Sequence, residues 1–193
     1  MMNAAASAMP TATSTDSALE TATLGGGCFW CLEAIFSRLR GVVSVESGYS
    51  GGHVADPDYA TVCTGDSGYA EVVRIRFDPE LIRYGDLLEV FFAIHDPTTP
   101  DRQGHDVGSQ YRSVIHTHGA AQERSAREAI AALDAAQSFP APIVTQVQPA
   151  ERFYPAEEEH RNYYANHPHQ GYCLTVVAPK LVKFLRQFAE RLK

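Results

Sequence analysis

Glu20-Thr21-Ala22-Thr23-Leu24-Gly25-Gly26-Gly27-Cys28-Phe29-Trp30-Cys31 sets the architecture of the chain. Glu20–Leu24 reads as a short strand, with threonines at alternate positions, running into the glycine triplet. From Cys28 onward the period changes. Phe29, Leu32, Ile35, Phe36 and Leu39 recur at spacings of three and four, so residues 28–40 are expected to form a helix, with Gly41 as its stop. Cys28 then opens a helix, where unsatisfied N–H groups and a partial positive charge gather. Both favour a thiolate, so the expectation is a depressed pKa and a nucleophilic Cys28. A phosphate-binding glycine turn is the bland alternative, but no Lys-Ser/Thr pair follows as a P-loop requires. An inert buried thiol is the other. Cys31 lies one helical turn on, and Cys-x-x-Cys is a redox spacing that also occurs in zinc sites. No second Cys or His pair lies close by, so zinc is disfavoured.

Working outward, Val42–Ser47 reads as a strand and Gly48-Tyr49-Ser50-Gly51-Gly52 as a turn. Val72–Phe77 alternates, with Val73, Ile75 and Phe77 on one face and Arg74 and Arg76 on the other. Tyr84–His95 is an amphipathic helix closed by Asp96-Pro97. Residues 96–110 form a long loop, of the kind that often carries function. Tyr111–His116 is a strand, residues 119–137 an Ala-rich helix, Ile143–Gln148 a strand and Ala156–Asn166 a polar, aromatic helix. Leu174–Ala178 reads as a strand, and Pro179 opens a last helix with Leu181, Phe184, Leu185 and Phe188 on its apolar face. Strands and helices interleave without strict alternation. The expected fold is α+β, a two-layer sandwich of a mixed β-sheet with flanking helices. Residues 21–193 are expected to form a single domain.

The net charge of −7 argues against a nucleic-acid partner, which selects for a basic patch. No apolar run approaches the length of a membrane span. Residues 1–20, rich in Ala, Ser and Thr, read as a flexible tail. They have neither the basic n-region of an export signal nor the arginines of a transit peptide. The expected location is therefore cytoplasmic, where cysteines are more often catalytic, metal-binding or simply buried than bridged. Four are present: Cys28, Cys31, Cys63 and Cys173.

Gly27-Cys28-Phe29-Trp30 resembles the signature of the A-type peptide methionine sulfoxide reductases. The resemblance continues through Gly48-Tyr49-Ser50-Gly51-Gly52, Gly68-Tyr69-Ala70-Glu71, His95-Asp96-Pro97-Thr98-Thr99 and the run from Arg102 to Ser113. It closes with Phe153-Tyr154-Pro155-Ala156-Glu157 and Gln170-Gly171-Tyr172-Cys173, so the blocks span about residues 22–185 in order. It implies thioredoxin-dependent reduction of methionine S-sulfoxide, free or in proteins, by a cytoplasmic repair enzyme. That such enzymes divide the two sulfoxide epimers between them is general redox chemistry. The resemblance makes Cys28 the nucleophile and Glu71 the acid that protonates the leaving oxygen. Tyr49 and Tyr111 become phenols that hydrogen-bond this oxygen. Phe29 and Trp30 would form the wall around the substrate methyl, and Asp106 a carboxylate steadying the site. The Cys28 sulfenic acid would condense with a second thiol, and thioredoxin, or dithiothreitol in vitro, would reduce the disulfide. Cys173 matches the family's recycling cysteine, with Cys31 as competitor or relay partner; Cys63 is assigned only packing. No bound metal or organic cofactor is implied, and a monomer is expected.

Two positions depart from the family pattern. Tyr69 stands where His is common, and His105 stands where Asn is common before Asp106. Three other functions share part of the chemistry. A general dithiol oxidoreductase would use Cys28 and Cys31 without Glu71, a Cys/His module would hold zinc, and a thiol peroxidase would turn over hydrogen peroxide.

Overall fold

In a computed structural model the chain is described from residue 19 to residue 193, so nearly all of the expected tail, residues 1–18, lies outside the described residues. Eight strands and six helices follow in the order β1 (Glu20–Gly26), α1 (Phe29–Phe36), β2 (Val42–Ser50), α2 (Tyr59–Cys63), β3 (Ala70–Phe77), α3 (Tyr84–Ile94), β4 (Arg102–Gln103), β5 (Asp106–Val107), β6 (Ser113–Thr117), α4 (Ala120–Ala135), β7 (Gln146–Pro149), β8 (Tyr154–Pro155), α5 (Tyr163–Asn166) and α6 (Ala178–Gln187). Six strands form one sheet in the order β7-β6-β1-β3-β2-β8. Every pairing is antiparallel except β6 with β7, which is parallel, so the sheet is mixed. The large core lies on one face, where Ala22, Leu24, Val73, Ile75 and Phe77 meet Phe29, Leu32 and Phe36 of α1, Leu87 and Phe91 of α3 and Phe184 of α6. The opposite face carries only Ala70, Val72 and Val114 under Phe153. Helices on one face of a mixed sheet make the expected two-layer α+β sandwich.

β1 runs further than expected, through Gly25 and Gly26, because these glycines let other parts of the protein approach. A Cβ on Gly25 would lie 2.8 Å from the backbone oxygen of Glu71. Gly27, at φ +90°, then turns the chain into α1. The helix ends at Phe36, earlier than expected, and Leu39 instead bridges to Leu192 near the C-terminus. Gly48-Tyr49-Ser50 belongs to β2 rather than to a turn; the turn is made by Gly51, at φ +79°. Tyr49 thereby pairs with Glu71 on one side and with Tyr154 on the other.

The C-terminal third departs most from the sequence reading. Ala156–Asn166 is not one helix: a 3₁₀ turn (Glu158–His160) and the short α5 flank Asn162, which takes the left-handed conformation at φ +50°. Leu174–Ala178 is not a strand. Cys173–Val177 forms a π-helical turn that runs directly into α6. Thr175, Val176 and Val177 favour strand locally, but Cys173, Val177, Leu181, Phe184 and Phe188 recur every three or four residues, and all five are buried. Tertiary burial of that stripe outweighs β-propensity, and the wider π turn precedes Pro179, which has no N–H to donate. No described helix is long and apolar enough to cross a membrane.

Candidate active site

Cys28 is the N-cap of α1, as its position after the glycine triplet implied, and it is 7% exposed. Its acidity runs opposite to expectation. Burial, then the Cys31 thiol and the nearby Glu71 carboxyl, push it well above its ordinary value, and only the Trp30 N–H pulls it down. A helix N-terminus does not produce a thiolate when the site is dry and a carboxyl faces it. Cys31 moves down, chiefly because the Cys28 thiol donates to it, with Lys180 adding its charge. Cys28 is thus held as a thiol against its helical neighbour.

Glu71 comes to this thiol from β3 and is 1% exposed. The backbone N–H of Phe29, one of the free amides of the first turn of α1, donates to Glu71 Oε2 at 3.0 Å. Burial pushes the carboxyl up to about 8 against that hydrogen bond, with the charge of Asp106 adding to the rise. At neutral pH Glu71 is therefore mostly protonated and has a proton to give.

Tyr49 is fully buried, and its hydroxyl donates to Glu157 Oε2 at 2.8 Å. Tyr111, half-buried at the end of a 3₁₀ turn (Ser109–Tyr111), lies within electrostatic reach of Glu71, Cys28 and Asp106. Phe29 and Trp30 face different ways. Phe29 is fully buried with its ring 5.8 Å from Tyr49 and 5.3 Å from His160. Trp30 is half-buried, stacked on Tyr163 at 3.6 Å and 4°, with Tyr172 edge-on at 5.7 Å. Its indole N–H donates to His160 Nδ1 at 3.2 Å. Asp106 accepts the Tyr172 hydroxyl at 2.6 Å.

All four cysteines are free. Cys173 is fully buried in the π turn, raised by burial and with Cys31 as the charge it feels. Cys31 is thus the thiol that Cys28 hydrogen-bonds and the one within electrostatic reach of Cys173. Cys63 does not have the packing role assigned to it: it is exposed on α2 beside the Tyr59 hydroxyl, within electrostatic reach of Glu71 and Glu157. Of the two departures, Tyr69 donates to the carbonyl of Val54 at 2.8 Å, and His105 is exposed, leaving Asp106 to Tyr172. Among the described residues no group of three or more His, Cys, Asp or Glu could hold a metal ion.

Glu157, His160, Tyr163, Tyr59 and Tyr172 also line or support the site, and none was singled out from sequence. Glu157 and Tyr172 fall in two of the motif blocks without a role attached, His160 and Tyr163 in the run of aromatic and acidic residues 153–164, and Tyr59 left no trace.

The family model described as peptide methionine sulfoxide reductase matches residues 20–192. A relative from Chromobacterium violaceum, peptide methionine sulfoxide reductase MsrA, is 59% identical over 175 residues, covering 91% of this chain and 99% of its own. The structure of reduced Mxr1 from Saccharomyces cerevisiae superposes with a TM-score of 0.75 at 32% identity, over 81% of this chain and 90% of that one. The structure of Mxr1 in complex with Trx2 shares the fold at a TM-score of 0.54 and 23% identity, over 79% of this chain and 90% of that one. A match along almost the whole described length, to the same family by sequence and by fold, places the chain in the peptide methionine sulfoxide reductase family.

Proposed function

We propose that this enzyme reduces methionine S-sulfoxide, free and in proteins, back to methionine, with Cys28 as nucleophile and Glu71 as acid. The observation that carries the assignment is a buried, mostly protonated Glu71 bonded to the amide next to Cys28. The Cys28 sulfur attacks the sulfoxide sulfur, forming a sulfur–sulfur bond, while Glu71 gives its proton to the oxygen; the Cys28 thiol proton replaces it on Glu71. The resulting hydroxyl passes from the substrate sulfur to the Cys28 sulfur as the bond between the two sulfurs breaks, so that methionine leaves and Cys28 becomes a sulfenic acid. Tyr49 and Tyr111 are the phenols for the oxygen, and Trp30 with Phe29 the apolar wall for the methyl group, held by Asp106 through Tyr172.

The placement of the thiols supports a relay. Cys31 attacks the sulfenic acid, releasing water and forming a Cys28–Cys31 disulfide. Cys173 then exchanges with Cys31 and frees Cys28. A thioredoxin dithiol reduces the last disulfide; the complex of the yeast relative with Trx2 supports this partner. Four free thiols suit a reducing cytoplasm. The reading includes a monomer and no bound metal or organic cofactor. Assaying the two sulfoxide epimers separately tests it: the S-epimer is reduced and the R-epimer is not. Equal rates on both, or none on either, would sink it.

A further inference from the structure

Glu157 follows β8, and its carboxylate gathers two donors from different elements. Tyr49 on β2 gives its hydroxyl to Oε2 at 2.8 Å, and the first amide of α2, that of Tyr59, gives its N–H to Oε1 at 2.7 Å. Burial works against the charge, but the Tyr59 N–H, its own N–H and the Tyr49 hydroxyl outweigh it and hold the carboxyl below its ordinary value. It is therefore a carboxylate at neutral pH. A phenol has one proton. While that proton points at Glu157 it cannot point at a substrate oxygen. The Tyr49 ring is fully buried against Phe29, so the hydroxyl can change partner only by turning about its own C–O bond.

We propose that Glu157 is a positioning residue that holds the Tyr49 proton in the empty enzyme and yields it to a sulfoxide oxygen. This rests on the assignment of Tyr49 to the sulfoxide oxygen. A sulfoxide oxygen carries enough negative charge to compete for the proton. The thioether product has no oxygen, so the proton returns to Glu157 once the oxygen has passed to Cys28. Glu157 thereby makes the subsite selective for S=O over the thioether and disfavours retention of product.

Glu157→Gln tests this because its geometry leaves one solution. Glutamine has a single acceptor oxygen, and the Tyr59 N–H, fixed in the backbone, claims it. The amide NH₂ then faces Tyr49, whose hydroxyl must accept and turn its proton toward the substrate. In single-turnover methionine release, the half-saturating concentration of methionine S-sulfoxide should fall about fivefold, the difference between losing a charged and a neutral partner, at an unchanged limiting rate. Should the glutamine variant not fold, Tyr49→Phe carries the test: the sulfoxide should bind more weakly while methionine inhibits as it does in wild type, and equal weakening of both would overturn the proposal. In a Tyr49→Phe background Glu157→Gln should not shift the half-saturating concentration. A role in structure alone can only weaken binding. An unchanged or raised half-saturating concentration, or the same fall without the Tyr49 hydroxyl, would overturn the proposal while leaving the reductase assignment intact. Wild-type enzyme that releases no methionine would overturn both.

Discussion

Glu71 shows how far a single residue can be read from its chain position. The resemblance carried by Gly68-Tyr69-Ala70-Glu71 made it the candidate acid, and the structure buries it beside Cys28. The acidity of Cys28 was not legible, because it depends first on burial in the folded core, then on Cys31, and then on Glu71 arriving from 43 positions further along the chain. The raised carboxyl has a consequence for stability. In the unfolded chain a Glu titrates near 4.3; here it does so at about 8. Between these values the folded state holds a proton that the unfolded state has lost. The contribution of Glu71 is therefore fully present below about 4.3 and is lost as pH rises to about 8, at no more than about 1.4 kcal/mol per pH unit. Glu71→Gln removes this dependence. Relative to wild type, its melting temperature should be higher at pH 8 than at pH 5, and a gap independent of pH would show that Glu71 is not buried neutral. Methionine release should fall about a hundredfold or more in Glu71→Leu. The loss should be smaller in Glu71→Gln, which keeps an N–H for the oxygen.

Among the elements, long periodic segments were legible and short or context-dependent ones were not. The apolar face of α1 and the alternation of β3 carry their own period, and both formed. The five residues of α2 are too few to show one, although Asp58 caps the helix by accepting the Thr61 N–H at 2.8 Å. The segment after Tyr172 misled because three β-branched residues in succession look like a strand, while the deciding burial is supplied by α1 and α3 packed on α6. That helical turn bears on recycling. Cys173 is buried within it, whereas Cys31 already faces Cys28. Cys28→Ser should release no methionine. Cys31→Ser and Cys173→Ser should each release about one equivalent per enzyme and then stall with thioredoxin. The Cys173→Ser enzyme should stall as a Cys28–Cys31 disulfide, visible by mass spectrometry of peptides without reduction. A stalled Cys173→Ser enzyme with Cys31 still alkylatable would overturn the relay order.

At the scale of the whole molecule, the site depends on a segment with little regular structure of its own, residues 154–163, being held against the sandwich at two points. Glu157 fastens one end to β2 and α2. Glu33, on α1 and buried, lies against the other: burial raises its carboxyl, and the backbone N–H groups of Asn162 and Tyr163 oppose the rise. His160 and Tyr163, in this segment, are both in ring contact with Trp30. Glu33 therefore bears on the wall proposed for the substrate methyl group through Tyr163. Trp30 is the single tryptophan of the chain, so its fluorescence reports on that wall alone. Glu33→Ala removes this neighbour from the half-buried Tyr163 amide and should cost about 1 kcal/mol in urea unfolding. In the folded variant Trp30, released from the Tyr163 ring, should emit further to the red and be quenched more readily by acrylamide. The half-saturating concentration of methionine sulfoxide should rise with it, since the apolar wall is no longer held parallel to its support. A destabilised Glu33→Ala enzyme with unchanged Trp30 emission and unchanged substrate affinity would mean that Tyr163 and His160 hold the indole without Glu33.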